Sequence, residues 1–144
     1  MFICNQCPYV KAAIPRIVRD MAALRAKGVG AIAIMPNDSD AHPSDSFERM
    51  KEFAAERGLT FPYVIDRTQE TARAYDAVCT PDFFGFDASL GLQYRGRLDE
   101  SRLGPVANAR RDLFEALKKV AESGEGPRQQ LPSMGCSIKW RDAT

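Results

Sequence analysis

Phe2-Ile3-Cys4-Asn5-Gln6-Cys7-Pro8-Tyr9-Val10-Lys11 joins a short β-prone start to the opening of a helix. A Cys-x-x-Cys motif at a strand-to-helix junction points to a redox dithiol. The first turn of a helix presents unpaired N–H groups and the positive end of its peptide dipoles, and both stabilise a thiolate. The two-residue spacer lets the second thiol reach the first and close a disulfide. Lys11 lies one turn after Cys7 and adds positive potential on this reading. The competing account is a pair of buried, inert cysteines, and the strand-to-helix context argues against it.

Working outward, Val10, Ala13, Ile14, Ile17, Val18, Met21 and Leu24 fall three and four apart and form one helical face. Pro15 removes one backbone bond from this helix and is expected to kink it. Lys27-Gly28 reads as its end. The apolar run from Val29 to Met35 reads as a strand buried on both faces. Asp45 and Glu48 read as a capping box for a second helix carrying Phe47, Met50 and Ala54, closed by Gly58. Phe61 to Ile65 reads as a third strand, and Thr68 as the cap of a short helix through Tyr75. Asp82 to Phe86 and Gln93 to Arg97 form a hairpin around Asp87–Gly91. A last helix carries Leu113, Phe114, Leu117, Val120 and Ala121 on one face, and Gly124 to Pro127 stops it. The order β-α-β-α-β-α-β-β-α predicts an α/β domain over residues 1–127, with a central mixed sheet and helices on both faces. Residues 128–144 read as a C-terminal tail.

The chain has 144 residues, a length that fits one domain. Hydrophobic residues make up 44% and charged residues 27%, ordinary values for a folded soluble protein. Twenty Lys+Arg against nineteen Asp+Glu leave a net charge of +1, which gives no reason to expect nucleic acid or a membrane as partner. No apolar run approaches the roughly 20 residues that span a bilayer. The start lacks the basic and apolar regions of a signal peptide, so a cytoplasmic location is expected. In that setting Cys4, Cys7, Cys79 and Cys136 point to redox chemistry or metal binding rather than to structural disulfides.

Cys79-Thr80-Pro81 precedes the hairpin. A proline at the start of a strand cannot donate to the ladder and needs a special place. Local sequence alone favours a trans bond, since only about one X–Pro bond in twenty is cis in folded proteins. A cis bond beside a dithiol would hold the Thr80 backbone open for pairing with a substrate chain. Taken with the dithiol, the strings Phe2–Lys11, Ala77–Phe84, Tyr94–Asp99 and Pro132–Trp140 resemble the thioredoxin-like superfamily. The likeness is strongest to its redoxin branch, the alkyl hydroperoxide reductase/thiol-specific antioxidant-like proteins. The resemblance implies a thioredoxin-like fold, Cys4 and Cys7 as the redox pair, a cis Pro81, and Thr80 and Pro81 shaping a substrate groove.

Three departures shape the expected chemistry. Members of this branch usually carry a longer leading strand, whereas here it is truncated to Met1–Ile3, so the middle of the sheet is expected to open and its ladder groups to lack partners. A stubby central strand of this kind invites pairing with another chain. Ile3 stands where typical thioredoxins have tryptophan, and the spacer is Asn5-Gln6 rather than Gly-Pro, so no reduction potential carries over. Peroxiredoxins typically have threonine at the Cys4 position and their peroxidatic cysteine, followed by proline, at the Cys7 position. The thioredoxin reading makes Cys4 the nucleophile and Cys7 the resolving thiol. The peroxidase reading makes Cys7 the peroxidatic cysteine. The complete dithiol and the missing threonine favour the first.

The expected activity is therefore thiol–disulfide oxidoreduction on a protein or small-molecule thiol partner, with no bound cofactor. A peroxiredoxin-like thiol peroxidase acting on peroxide is the first alternative, and a non-enzymatic thioredoxin-fold binding module the second. Cys79 and Cys136 are possible additional redox thiols: Cys79 also reads as a small core residue and Cys136 as an exposed tail thiol. A metal site gathering all four sulfurs is a poor third choice, because only one Cys-x-x-Cys is present. His42 reads as a solvated loop residue, Asp99 and Glu100 as surface charges, and Asp66 as a proton-transfer group or a helix cap. Phe83, Phe84 and Phe86 read as core.

Overall fold

The computed structural model describes residues 1–142. Residues 143 and 144 of the predicted tail lie outside it. The order is α1 (Pro8–Arg25), β1 (Ala33–Met35), α2 (Phe47–Arg57), β2 (Tyr63–Ile65), α3 (Glu70–Ala74), β3 (Cys79–Thr80), β4 (Phe83–Phe86), β5 (Leu92–Gly96), α4 (Asp112–Ser123) and β6 (Cys136–Ser137). β1 and β2 run parallel, while β4 and β5 form the expected antiparallel hairpin. Asp87 fixes its turn by accepting from the Ser89 and Gly91 N–H groups at 2.9 Å each.

The first residues hold the two halves together. Phe2 bridges in parallel to Ile34 of β1 and antiparallel to Asp82, next to β4. Phe2 N–H donates to Asp82 O at 2.9 Å and Ile3 N–H to Ile34 O at 3.0 Å. Ladder groups around Phe2 are thus paired, in contrast to the expected loss. Val29 to Ile32, expected as strand, fall outside β1, and Ile32 O accepts from the Met1 amino group at 2.9 Å rather than from a paired strand. Ile32, Phe84, Phe86, Leu113 and Leu117 help line a slot of about 650 Å³ in that place.

Alternation along the strands sorts side chains to two faces. Ile3, Ala33, Met35 and Phe83 join the main core with Val10, Ile14, Ile17 and Leu24 of α1 and Leu113, Phe114 and Leu117 of α4. Phe2 and Ile34 face the other way, toward Ala72 of α3, Ala77 and Ile138. Burying each large apolar side chain stabilises the fold by about 1.5–3 kcal/mol. Asp20, fully buried on α1, accepts from Arg111 at 2.6 Å and from Arg19 at 2.9 Å, which ties the start of α4 to α1. Pro15 sits inside α1 without ending it.

Several local expectations change. Ser46, not Asp45, caps α2 by accepting from Arg49 N–H at 3.2 Å, and Gly58 closes that helix at φ +66°. Asp66 caps α3, accepting from Ala72 N–H at 2.8 Å. Phe86 is exposed rather than core. The tail is no appendage to a domain ending at 127: β6 pairs antiparallel with β3, and Ile138 is buried.

Candidate active site

Cys7 is the N-cap of α1 and Pro8 its first residue, a position where the missing proline N–H leaves no bond unmade. Thr80-Pro81 is cis, as the resemblance implies. Three cysteines meet there. Cys7 Sγ lies 2.7 Å from Cys136 Sγ and 3.3 Å from the Thr80 carbonyl oxygen. Cys4 Sγ lies 3.3 Å from Thr80 Oγ1. Cys4 and Cys7 are buried and Cys136 is half-buried.

The sulfurs differ in ease of ionisation. Cys7 is pulled well below the ordinary thiol range, first by the hydrogen bond from Cys4, then by that from Cys136 and by the Val10 and Cys136 N–H groups facing it. Burial opposes this, and the hydrogen bonds outweigh it. Cys4 is pushed up, because its thiol serves the Cys7 anion and lies buried. Burial, followed by its bond to Cys7, pushes Cys136 up to about 11. Cys7 is thus the more readily ionised of these sulfurs, while the sequence reading places the attack at Cys4. The expected cation is absent from the sulfurs: Lys11 Nζ turns to Gln6 Oε1 at 3.2 Å.

A buried polar network holds the spacer. Asn5 N–H donates to Asp45 Oδ1 at 2.8 Å, and Tyr63 O–H donates to Asn5 Oδ1 at 2.8 Å. Burial keeps Tyr63 protonated and thus a donor. Asp45 Oδ2 accepts from Asn37 Nδ2 at 3.0 Å, and Asn37 Oδ1 accepts from Lys139 N–H at 2.9 Å. One carboxylate thus connects the dithiol spacer to the tail. Gln69, at φ +62°, adds a second tie, donating to Lys139 O at 2.9 Å and accepting from Arg141 N–H at 2.9 Å. Arg73 stacks on Trp140 at 4.4 Å. Sequence reasoning missed Asn5, Asn37, Asp45, Tyr63 and Gln69; their signal is burial, and only the fold brings them together.

The Thr80 edge is not open, as had been expected. Cys136 pairs with Thr80 and Ser137 with Cys79, so the tail lies where an incoming strand would pair. Gly135 permits it: a Cβ there would sit 2.0 Å from the Thr80 oxygen.

The remaining candidates fall away from the sulfurs. Cys79 is buried, donates weakly to Pro81 O at 3.6 Å and is pushed up to about 12, chiefly by burial. These are the surroundings of a small core residue, one of the two readings its sequence allows. His42 is exposed in its loop. Both Asp66 oxygens face the start of α3. Asp99, expected on the surface, is buried and accepts from Arg16 at 2.7 Å. Glu100 pairs with Arg110 at 3.6 Å. Among the described residues, no cluster of three potential ligands could hold a metal, and no helix is long and apolar enough to cross a membrane.

The model of the AhpC/TSA family matches residues 1–97. The chain belongs to the AhpC/TSA family. The matched segment contains Cys4, Cys7, Thr80 and Pro81 and ends before Cys136. An uncharacterized conserved protein from Geobacillus kaustophilus is similar over 100% of this chain and 77% of its own, with 47% identity and a TM-score of 0.92. A hypothetical protein from Sinorhizobium meliloti 1021 is similar over 99% of this chain and 78% of its own, with 35% identity and a TM-score of 0.92. No curated protein matches. AhpC/TSA membership brings the thioredoxin-like fold of the redoxins and a thiol-dependent redox function.

Proposed function

We propose that this AhpC/TSA protein is a thiol–disulfide oxidoreductase in which Cys7 attacks and Cys4 resolves. The observation that carries this reading is the Cys7 sulfur at the N-cap of α1, 2.7 Å from the Cys136 sulfur and beside the cis Thr80-Pro81 bond. Cys7 thiolate attacks one sulfur of a target disulfide and expels the other as a thiolate, which takes a proton from solvent. The Cys4 thiol then loses its proton, attacks Cys7 Sγ and releases the second target thiol. The target gains two electrons and two protons, and the protein holds one disulfide. The partner is a protein or small-molecule disulfide, and a thiol system restores the dithiol.

The same sulfur supports a second reading, thiol peroxidase. Cys7 is the more easily ionised cysteine and is followed by Pro8, the arrangement expected of a peroxidatic cysteine. Its thiolate would attack a peroxide oxygen, release an alcohol or water, and become a sulfenic acid. Cys4 would condense with that acid to give the disulfide and water.

Insulin reduction by dithiothreitol, followed by turbidity, tests the first reading. The wild-type protein accelerates it and Cys7→Ser abolishes the effect. Peroxide consumption with a thiol donor, tested alongside, separates the two readings. Failure of both assays in a protein with native circular dichroism overturns the redox assignment of Cys7.

A further inference from the structure

Cys136 lies outside the segment matched by the family and outside the Cys-x-x-Cys motif, yet its sulfur is 2.7 Å from Cys7 Sγ across 129 positions of sequence. The tail is built to put it there. β6 pairs with β3 in a register that sets Cys136 opposite Thr80. Gly135 allows backbone to touch backbone at Thr80 and Pro81. Beyond Cys136, Ile138 is buried, while Lys139 and Arg141 are bonded through Asn37 and Gln69. The tail therefore sits on the edge beside the dithiol as an internal strand with a cysteine facing the reactive sulfur.

We infer that Cys136 is a third redox thiol, which forms with Cys7 an internal disulfide alternative to Cys4–Cys7. The inference rests on Cys7 being the reactive sulfur. After Cys7 has formed a mixed disulfide with a target, the Cys136 thiol loses its proton to solvent and attacks Cys7 Sγ. The Cys7–target bond breaks, the target leaves as a thiolate that is then protonated, and the Cys7–Cys136 bond forms. Cys4 thiolate can then attack Cys7 Sγ and expel Cys136, passing the disulfide to the Cys-x-x-Cys pair with no net electron change. Cys136 keeps its proton while Cys7 is an anion. Once Cys7 is covalently engaged, that anion is gone and the hold on the Cys136 proton weakens. The Cys7–Cys136 form also locks the tail over the Thr80 edge, so an outside strand gains the edge only after this bond opens.

Disulfide mapping tests the inference. The wild-type protein, Cys4→Ser and Cys4→Ser with Cys136→Ala are oxidised with one equivalent of diamide, capped with N-ethylmaleimide and digested with trypsin. Cleavage separates the three regions into Met1–Lys11, Ala74–Arg95 and Gln129–Lys139. In Cys4→Ser, Met1–Lys11 should emerge joined to Gln129–Lys139 in most of the protein. In the double variant Cys7 should accumulate as a mixed disulfide when glutathione disulfide is the target. Cys4→Ser that leaves Cys7 and Cys136 separately capped, in protein whose circular dichroism matches wild type, overturns the inference. That result leaves the parent reading intact if the wild-type protein still reduces insulin. A wild-type protein that forms no internal disulfide and reduces nothing overturns both.

Discussion

Gly135→Ala offers a sharp perturbation of the sulfur cluster without touching a sulfur. A Cβ at this position would stand 2.0 Å from the Thr80 oxygen, 2.6 Å from the Thr80 carbonyl carbon and 3.0 Å from the Pro81 nitrogen. All three are backbone atoms, so no rotamer change relieves the clash. Ordinary contact begins near 3.4 Å, and the tail must retreat by about 1.4 Å. The neighbouring Cys136 sulfur, now 2.7 Å from Cys7, retreats with it. Bond formation requires an S–S distance of about 2.05 Å and a narrow range of backbone separations. A misplacement of about 1 Å at a reacting centre typically slows reaction by about 100-fold. Gly135→Ala in a Cys4→Ser background should therefore form the Cys7–Cys136 bond about 100-fold more slowly than Cys4→Ser alone. Gly135→Ala by itself should close Cys4–Cys7 at the wild-type rate. Quenched oxidation with peptide mapping measures both. Equal Cys7–Cys136 rates with and without the alanine would refute the claim that Gly135 positions Cys136.

Other residues give further tests. Because its ionisation lies below the ordinary thiol range, Cys7 remains an anion as pH falls. Its alkylation by iodoacetamide should stay near its plateau at about pH 7, where an ordinary thiol of pKa about 8.5 has lost more than tenfold; a rate profile with a midpoint near 8.5 contradicts this. Gln69→Asn keeps a residue that tolerates φ +62° but is one methylene too short for Lys139 and Arg141. It should cost on the order of 1–3 kcal/mol in urea unfolding and slow Cys7–Cys136 closure; an unchanged urea midpoint speaks against the Gln69 tie. Arg111→Ala leaves buried Asp20 with Arg19 alone and should cost about 3 kcal/mol; a urea midpoint within error of wild type argues against the pair. Cys79→Ala should leave insulin reduction and both disulfides unchanged, and a lost disulfide would assign Cys79 a redox role.

The parts of this fold that depend on neighbours in sequence were legible in advance. The apolar face of α1, the hairpin around Asp87 and the left-handed stops at Gly58 and Gly124 follow from local spacing and turn chemistry. The dithiol and Thr80-Pro81 were legible as motifs. Asp45 was misread because local pattern makes it a cap, while the fold uses its carboxylate to hold Asn5 and Asn37. Val29 to Ile32 carry a strand's composition, yet a ladder depends on a second chain segment that their own sequence does not specify. Asp99 reads locally as a surface charge, and the partner it meets in its buried place, Arg16, lies 83 positions away. The approach of Cys136 to Cys7 is the most distant of these relations: the sequence offers Cys136 as a possible redox thiol, and only the pairing of β6 with β3 brings it to Cys7.

The 129 positions between those touching sulfurs give oxidation a mechanical consequence. A covalent link there would close nearly the entire chain into one ring. In a chain-entropy picture, such a ring removes about 5 kcal/mol of freedom from the unfolded ensemble. A Cys4–Cys7 link encloses only a tight local loop and restrains little. Two oxidised isomers carrying the same electrons would then differ widely in melting temperature, so the choice of partner for Cys7 would set how firmly the molecule resists unraveling.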